Sequence, residues 1–368
     1  MLSEALRKAA ELLDREVADL EPGEPRFGDA RYAPVPLDPS HFREAGDSAP
    51  DAMLGFVDGG NLELLHAPDF SVQLVRVCAV LFRGPERVAV RRVPPKVEFL
   101  CVARAVPRDG EIFYTAELLP AGGAAAPFLP DRQGLLLSSR DERLASGPFR
   151  VDISAVGACA RRFAEWLMLA GLAAHELGPG DIAVRDGTLQ TAVTNESVPA
   201  SSAFRAASDR RVTLSALAKT SALFTSSGMP LLAAVGKLAR DAGIAGRWYY
   251  HPLVVNEHPE HRAEIFACRL HPASRHVFRF EMMREQARAM DSGALGRTFA
   301  AMARNSSDLS FPGYPYGLAV ADDLARVRRS EKEALRALLA SALAGKGAWE
   351  RLRGHMGASD AHDILDAL

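Results

Sequence analysis

The sequence predicts an α/β protein in which a sheet is packed against helices. Apolar segments rich in Val, Leu and Phe, separated by turn residues, follow residue 53 and are typical of strands. A long helical segment lies between residues 152 and 176, and a further apolar strand runs from Asp181 to Asp186. Strands, a helix and another strand in this order predict a mixed sheet flanked by helices.

The chain opens with an amphipathic helix. Its apolar positions recur at helical spacing with Glu, Lys and Arg between them, and they are Leu2, Leu6, Ala9, Leu13, Val17 and Leu20. Glu21-Pro22-Gly23 ends this helix, and residues 22–52 are rich in Pro, Asp and Gly. We therefore interpret residues 1–50 as an N-terminal helix followed by an irregular arm.

The first strands form an antiparallel meander. A strand at 53–57 ends at Asp58, where Gly59 and Gly60 permit a turn, and three further strands follow at 62–66, 72–82 and 97–106. The chain from 107 to 150 is less regular, with an Ala-Gly-Pro-rich piece typical of a surface loop or an insertion.

A helix links this meander to the second Asp-Gly segment. Asp152 or Ser154 can cap the helix, and Gly178-Pro179-Gly180 breaks it. Its apolar face consists of Val156, Ala160, Phe163, Leu167, Ala170 and Ala174.

The remaining chain alternates strands and helices. The predicted strands are 214–220, 248–255, 263–270 and 276–282, and the predicted helices are 229–242 and 285–303. A rigid aromatic turn at 311–318 leads into the helix that carries Asp322, Asp323 and Arg326. The tail, 331–368, is predicted to be helical, with Ser330 and Glu333 as a capping box.

Composition is that of an ordinary soluble globular protein, with 48% hydrophobic and 24% charged residues among 368. A net charge of −2 argues against indiscriminate nucleic-acid binding by a basic coat, although it permits a local basic channel. The four cysteines stand far apart in apolar segments, which is typical of reduced core residues in a cytosolic protein. The sequence has neither a signal peptide nor a membrane-spanning run, so we expect a cytoplasmic location.

Two aspartates at strand ends are the first candidates for chemistry. Asp58 and Asp186 each follow an apolar strand and precede glycine. If their strands are neighbours in one sheet, the two carboxylates meet, which is how sites for hard cations in phosphoryl chemistry are built. A simple Asp-Gly turn is the alternative interpretation of Asp58.

Further candidates lie on the helices and on one strand end. Glu165 sits among bulky apolar residues on the helix before Asp186 and can complete a metal shell, although an exposed helix-edge position is equally compatible. Glu63 is a weaker rival. Tyr314 and Asp322 can reach the same site, with a packing role as the alternative for Tyr314. Lys219 can neutralise a phosphate or lie exposed.

Two other kinds of site have little support in the sequence. Two groups of histidines lie close together in the sequence. Their spacings match no usual zinc pattern and no Cys pair accompanies them; the groups are His251, His258 and His261, and His271 and His276. There is no G-x-x-x-x-G-K-[ST] loop, so the chain is not expected to hydrolyse nucleotides and any motor is another protein. There is no G-x-S-x-G nucleophile elbow either.

The order of these motifs across residues 53–330 resembles the NurA nuclease family. The motifs are Phe-Val-Asp58-Gly-Gly, a Glu-bearing helix, Arg-Asp186-Gly-Thr-Leu, Ala-Leu-Ala-Lys219-Thr-Ser, Gly-Tyr314-Pro-Tyr-Gly-Leu and Ala-Asp-x-Leu-Ala-Arg326. The resemblance implies a ribonuclease-H-like core, 5′ to 3′ exonuclease and single-strand endonuclease activity with Mn²⁺ or Mg²⁺, and a homodimer. It also implies a HerA-type hexameric ATPase as partner, in DNA end resection for double-strand break repair.

By position, the resemblance implies that Asp58, Glu165 and Asp186 bind the metal and that Tyr314 lines the site. Asp322 stands where such proteins commonly have a histidine. A charged carboxylate ligand can therefore replace a neutral imidazole ligand at this position. With Lys219 and Arg326 assigned to DNA phosphates, residues 51–330 are predicted to be a metal-dependent DNA nuclease domain. The alternatives are a non-catalytic DNA-binding or motor-regulating scaffold and a hydrolase of a small phosphorylated molecule.

Overall fold

A computed structural model gives the fold and describes residues 2–18, 20–46, 51–145, 147–345 and 347–366. Within these ranges the strands are β1 Pro25–Arg26, β2 Tyr32–Pro34, β3 Phe42–Glu44, β4 Met53–Ala67, β5 Phe70–Arg83, β6 Glu86–Val88, β7 Lys96–Arg108, β8 Glu111–Pro120, β9 Leu137–Ser138, β10 Ile182–Asp186, β11 Thr213–Ala218, β12 Phe224–Thr225, β13 Trp248–Tyr250, β14 Val254–Asn256, β15 Ala263–Arg269 and β16 Phe278–Met283. The α-helices are α1 Leu2–Leu13, α2 Ala155–Gly171, α3 Ser197–Arg210, α4 Leu231–Asp241, α5 Arg284–Ala289, α6 Ser292–Asn305, α7 Tyr316–Ala325, α8 Arg329–Ala344 and α9 Trp349–Asp366.

The chain divides into two units, each with strands and helices of its own. The first unit consists of Met1–Asp51, Gly187–Leu189 and Ser215–Pro315, and the second of Ala52–Asp186, Gln190–Leu214 and Tyr316–Leu368. The predicted division into 1–50, 51–330 and 331–368 stays a prediction. Parts of its first and last segments, including residues 47–50, 367 and 368, lie outside the described residues.

The sheet of the second unit runs in the order β10-β4-β5-β7-β8-β9, with β6 paired to β5. β10 is parallel to β4, whereas the other pairs are antiparallel, so the sheet is mixed. Helices flank it, α1 begins the chain, and α8 and α9 end it. The predicted α/β class, with a mixed sheet, an N-terminal helix and a helical tail, is confirmed.

Strand β4 does not end at Asp58, and the predicted turn after it is wrong. β4 continues to Ala67 and pairs with β5 along its length, with Asp58 opposite Cys78. The glycines serve close packing instead of a turn. A Cβ added to Gly59 would lie 2.6 Å from an oxygen of Glu165 on α2. A larger side chain at this position would require the side chains of Glu165 and Arg161 on α2 to shift.

Helices α2 and α7 pack on opposite faces of β4. On one face, a Cβ on Gly55 would contact Leu172 and Leu177, which follow α2. On the other face, the Phe56 ring lies directly against Gly317 of α7. Side chains of successive strand residues alternate between faces, so this arrangement assigns the odd-numbered positions from 55 to 59 to α2 and the even-numbered ones to α7.

Several sequence predictions in both units need correction. The segment 107–150 contains the regular strand β8, in which Tyr114, Ala116 and Leu118 alternate toward the core. The predicted helix 285–303 is two helices, because Met290 is extended and Asp291 caps α6 by accepting a hydrogen bond from Ala294 N. Helix α3 was not predicted.

The first unit has its own antiparallel strands, in the order β3-β13-β15-β16-β11, where residues 215–218 of β11 belong to this unit. The arm 22–52 is therefore not wholly irregular, since it supplies β1, β2 and β3. The Phe42 ring packs edge-on against Trp248 and Tyr250, in a core that α4 covers. Across the described residues of both units, no helix combines the length and apolar character that a membrane span requires.

Candidate metal centre

Asp58 and Asp186 lie side by side on neighbouring parallel strands. The register of β10 and β4 places Arg185 beside Val57, so the next residues along the two strands are Asp186 and Asp58. Because residues in register on parallel strands project to the same face, both carboxylates lie on the face that carries α7. The condition under which the sequence brings the two carboxylates together, that their strands are neighbours in one sheet, is therefore met.

Helix α7 brings Asp322 to these two carboxylates. A Cβ on Gly317 would lie 2.1 Å from Cδ2 of Phe56, and a Cβ on Gly60 would lie 2.5 Å from the carbonyl oxygen of Ala325. Helix α7 thus contacts β4 near both ends of the helix, and the two glycines make this close approach possible. Asp322, between these two contacts, reaches the strand at the level of Asp58.

One carboxylate oxygen from each of Asp58, Asp186 and Asp322 lies within 4.8 Å of the other two. Asp58 is buried, and the other two are half-buried. Two like charges at this separation repel by about 3 kcal/mol at an effective dielectric constant of about 20. A divalent cation offsets this repulsion, and carboxylate oxygens are the ligands that Mg²⁺ and Mn²⁺ prefer, so the three residues fit such an ion. In the part of the chain that the structure describes, no other trio of His, Cys, Asp or Glu meets this geometry.

Arg326 provides a positive charge at the rim of this cluster. Its Nη2 donates to Oδ2 of Asp322 at 2.6 Å, while 62% of its side chain is exposed. The guanidinium of the buried Arg76 donates to the Arg326 carbonyl oxygen at 2.9 Å and also pairs with Glu98 and Glu331. Arg76 therefore fixes the chain just after α7, the helix that carries Asp322.

Glu165 has partners other than those a metal ligand would need. Its Oε2 accepts from Nη2 of Arg185 at 2.8 Å, and its Oε1 accepts from Arg161. The carboxylate lies against Gly59, on the α2 face of β4, whereas the side chain of Asp58 projects to the α7 face. The structure therefore does not bring Glu165 into the cluster, and its assignment as a ligand stays a prediction.

A second buried carboxylate supports the same helix. Glu196 accepts from Trp166 Nε1 at 2.8 Å and pairs with Arg162, and its Oε2 accepts the N–H of Ala192 at 2.8 Å. Burial raises the pKa of Glu196, but Arg162 and Arg185 outweigh it and hold the pKa below the usual value. The residue stays ionised and ties α2 to the start of α3.

Lys219 and Tyr314 belong to the first unit. The Lys219 ammonium lies 5.4 Å from the centroid of the Tyr314 ring, a cation–π contact. Tyr314 is buried and packs against Phe278 and Phe311, as its packing alternative expects. Their predicted roles toward phosphate and at the catalytic site stay predictions. Glu63, the weaker rival, accepts a hydrogen bond from Ser71 at 2.7 Å.

The histidines make hydrogen bonds to acidic and phenolic groups. In the first unit, Nε2 of His261 lies 2.8 Å from Oε2 of the buried Glu281, and its Nδ1 lies 2.9 Å from the Tyr32 hydroxyl. Nε2 of His251 is 3.2 Å from Glu264. These contacts use ring nitrogens that a zinc ion would need, so the pattern favours structural hydrogen bonding.

Two kinds of functional residue were missed by the sequence interpretation. Arg185 precedes Asp186 and is 2% exposed, although an arginine is rarely buried without a partner. Its position in an otherwise apolar strand was the available signal for a buried carboxylate partner. Gly317, in the motif after Tyr314, gave no signal, because only the close approach of Phe56 shows why glycine is needed there.

Comparisons with known proteins come from solved structures alone. No protein-family model and no curated protein matches the chain. The chain is similar to Ciona intestinalis Endonuclease V in complex with inosine-containing DNA, at 12% identity and a TM-score of 0.34 over 91% of this chain and 98% of that chain. The catalytic domain of human Endonuclease V is 13% identical to this chain, with a TM-score of 0.34 over 92% of this chain and 97% of that chain. Aquifex aeolicus Argonaute is 8% identical to this chain, with a TM-score of 0.27 over 75% of this chain and 28% of that chain. At these values the similarities assign neither a family nor an activity.

Proposed function

We propose that this chain is a divalent-metal-dependent nuclease whose cation is held by Asp58, Asp186 and Asp322. The observation that carries the proposal is the convergence of three carboxylates, from two parallel strands and one helix, within 4.8 Å. A bound Mg²⁺ or Mn²⁺ supplies charge neutralisation at a phosphate and makes a water molecule more acidic. Both effects are what hydrolysis of a phosphodiester requires.

The chain's own residues have distinct roles in this proposal. Asp58 lies inside a long strand with paired strands on both sides, so its position is rigid. Asp186 ends its strand, and Asp322 comes from a helix, so they complete the ligand set from two further directions. Arg326 is largely exposed where it pairs with Asp322, and it can exchange this pair for a phosphate oxygen, to which an arginine binds with two N–H donors.

The test compares two adjacent aspartates on α7. Asp322→Asn removes a proposed ligand, whereas Asp323→Asn removes an exposed carboxylate from the same helix. We expect metal-dependent cleavage of end-labelled single- and double-stranded DNA by the unaltered chain, and loss of at least about 100-fold in Asp322→Asn and Asp58→Ala. Asp323→Asn should cleave at close to the unaltered rate. Equal activity of Asp322→Asn and Asp323→Asn would contradict the proposal.

Finer parts of the proposed function follow from the sequence resemblance. The substrate is DNA, the cleavage is 5′ to 3′ exonucleolytic and endonucleolytic on single strands, and the chain acts as a homodimer with a HerA-type hexameric ATPase in end resection. Labelling either DNA end tests the polarity, and sedimentation tests the dimer. Adding the ATPase with ATP should increase the length of DNA degraded, because this chain has no nucleotide-binding loop of its own.

The same assays identify the two alternatives. A chain that binds DNA but leaves it intact with Mn²⁺ or Mg²⁺, with or without the ATPase, is a scaffold. A chain that hydrolyses a small phosphomonoester but no DNA is a hydrolase of small phosphorylated molecules. Either result would replace the proposed nuclease function, while Mn²⁺ binding by titration calorimetry would still test the cation site itself.

A further inference from the structure

The ion pair between Glu165 and Arg185 lies behind the proposed cation site, on the face of the sheet that carries α2. We propose that it is a positioning pair: Glu165 holds Arg185, and Arg185 fixes the strand end from which Asp186 projects. The inference rests on the proposed function, because it concerns the same cation site. It gives Glu165 a role different from the ligand role that the sequence resemblance implies.

Both oxygens of the Glu165 carboxylate are already engaged by arginines. Oε2 accepts from Arg185 at 2.8 Å, and Oε1 accepts from Arg161, which also donates to the Gly59 carbonyl oxygen at 3.3 Å. Glu165 and Arg185 are each 2% exposed. A carboxylate that turned toward a cation on the other face would remove the charge partner to which the buried guanidinium of Arg185 donates its 2.8 Å hydrogen bond, which is unfavourable.

Arg185 is held from more than one side. Its guanidinium carbon lies 4.5 Å from the centroid of the Trp166 ring, and Nη2 lies 4.0 Å from the buried Glu196 carboxylate. Glu165 and Trp166 are consecutive residues of α2, so one turn of this helix provides both the carboxylate and the aromatic surface. The arginine side chain therefore has a single defined position.

The consequence for Asp186 follows from strand geometry. Arg185 and Asp186 are consecutive, and their side chains project to opposite faces of β10. Fixing Arg185 on the α2 face therefore limits rotation of the strand end and keeps the Asp186 carboxylate on the α7 face. This matters because Asp186 is the last residue of its strand and Gly187, which follows, has a φ of +101°. A catalytic group must stay within about 0.5 Å of its productive position.

The experiment separates a positioning pair from a ligand by measuring cation affinity and turnover separately. Mn²⁺ affinity is measured by titration calorimetry, and kcat for DNA cleavage is measured at saturating Mn²⁺. Both measurements are made on the unaltered chain and on Glu165→Gln, Arg185→Lys and Asp322→Asn. We expect Glu165→Gln and Arg185→Lys to lower kcat by about tenfold and to weaken Mn²⁺ binding by less than about tenfold, because the Asp186 carboxylate is displaced but still present. Asp322→Asn, which removes a proposed ligand, should weaken Mn²⁺ binding by more than about tenfold.

A double-substitution cycle tests whether Glu165 acts through Arg185. The variants are Glu165→Gln, Arg185→Lys and the two combined, assayed well below their melting temperatures so that folded protein is compared. If Glu165 acts through Arg185, the loss of kcat in the combined variant stays within about threefold of the larger single loss. Losses that multiply would show independent roles and would overturn the inference.

The remaining outcomes also decide the matter. Glu165→Gln with Mn²⁺ affinity as weak as that of Asp322→Asn would make Glu165 a ligand and overturn the inference alone. Lower melting temperatures with unchanged kcat and affinity would show a purely structural pair and would likewise overturn it. If the unaltered chain binds no Mn²⁺, the proposed function fails first, and the positioning role fails with it.

Discussion

Gly317 lies against the ring of Phe56, so closely that a Cβ on the glycine would be 2.1 Å from the ring carbon Cδ2. The contact joins the first turn of α7 to a buried position of β4, two residues before Asp58. The glycine is therefore a requirement of the proposed cation site, although it carries no chemical group. It sets the distance between the strand with Asp58 and the helix with Asp322.

Gly317→Ala should displace α7 and weaken the site. Phe56 is fully buried and cannot yield easily, so the added methyl group overpacks the core by about 1–3 kcal/mol. We expect a lower midpoint in urea unfolding and at least about tenfold weaker Mn²⁺ binding, because Asp322 moves away from Asp58 and Asp186. The matched control is Gly296→Ala on α6, where a Cβ meets nothing within 4 Å. The control should be neutral or slightly stabilising, and equal behaviour of both variants would contradict the expectation.

Arg326→Ala should change cation binding and DNA binding in opposite directions. The substitution removes a positive charge 2.6 Å from Asp322, so Mn²⁺ affinity should rise, by less than about fivefold because the guanidinium is largely exposed. DNA affinity should fall, and the slope of log K against log salt should decrease in magnitude by about one, since one phosphate contact is lost. Fluorescence anisotropy at several salt concentrations measures the slope. An unchanged slope would rule out a phosphate contact by Arg326.

Mn²⁺ should stabilise the chain, and the effect should depend on the three aspartates. A ligand that binds only the folded state raises the free energy of unfolding by about 2.7 kcal/mol at a concentration of about 100 times Kd. We therefore expect a higher melting temperature with Mn²⁺ than with EDTA, and no such rise in Asp58→Asn. Asp69→Asn, an exposed aspartate in the second unit, is the control that should keep the rise. A rise of the same size in Asp58→Asn would place the cation elsewhere.

The sequence indicated that Asp58 and Asp186 meet if their strands are neighbours, because both residues follow the same kind of strand, and the parallel register of β10 and β4 meets that condition. It was not sufficient to predict how β4 continues. Asp-Gly-Gly is a local turn signal, yet in the fold its glycines admit Glu165 on one face and Ala325 on the other. A glycine in a turn and a glycine at a close packing contact look the same in the sequence, so only the tertiary neighbours distinguish the two.

The role of Glu165 shows a second limit of the same kind. Its apolar surroundings on α2 were equally compatible with burial and with an exposed helix edge. The structure shows burial, but burial alone does not say whether the partner of a carboxylate is a metal ion or an arginine. Arg185, one residue before Asp186, was the informative neighbour, since a buried guanidinium requires a buried carboxylate. Side chains that alternate along β10 then place this partner and the cluster of three aspartates on different faces.

Glu281 in the first unit gives a prediction for stability against pH. Burial raises its pKa, but Arg279 and His261 outweigh burial and lower the pKa from an ordinary 4.5 to about 2. A carboxyl with a lowered pKa stabilises the fold above the unfolded pKa, and this contribution is lost as the pH falls toward the folded pKa. From the size of the shift, the contribution is about 3 kcal/mol at neutral pH.

Glu281→Gln should therefore lower the free energy of unfolding most at neutral pH. The glutamine leaves the partly buried Arg279 without the charge of Glu281, whereas protonated Glu281 in the unaltered chain at low pH has lost the same charge. We expect the difference between the two chains, from urea unfolding, to be constant above about pH 5 and to shrink as the pH falls from about 4.5 toward about 2. Glu44→Gln, at an exposed position, should differ little from the unaltered chain at any pH. A difference for Glu281→Gln that stayed constant down to pH values near 3 would show that the charge of Glu281 contributes nothing to stability.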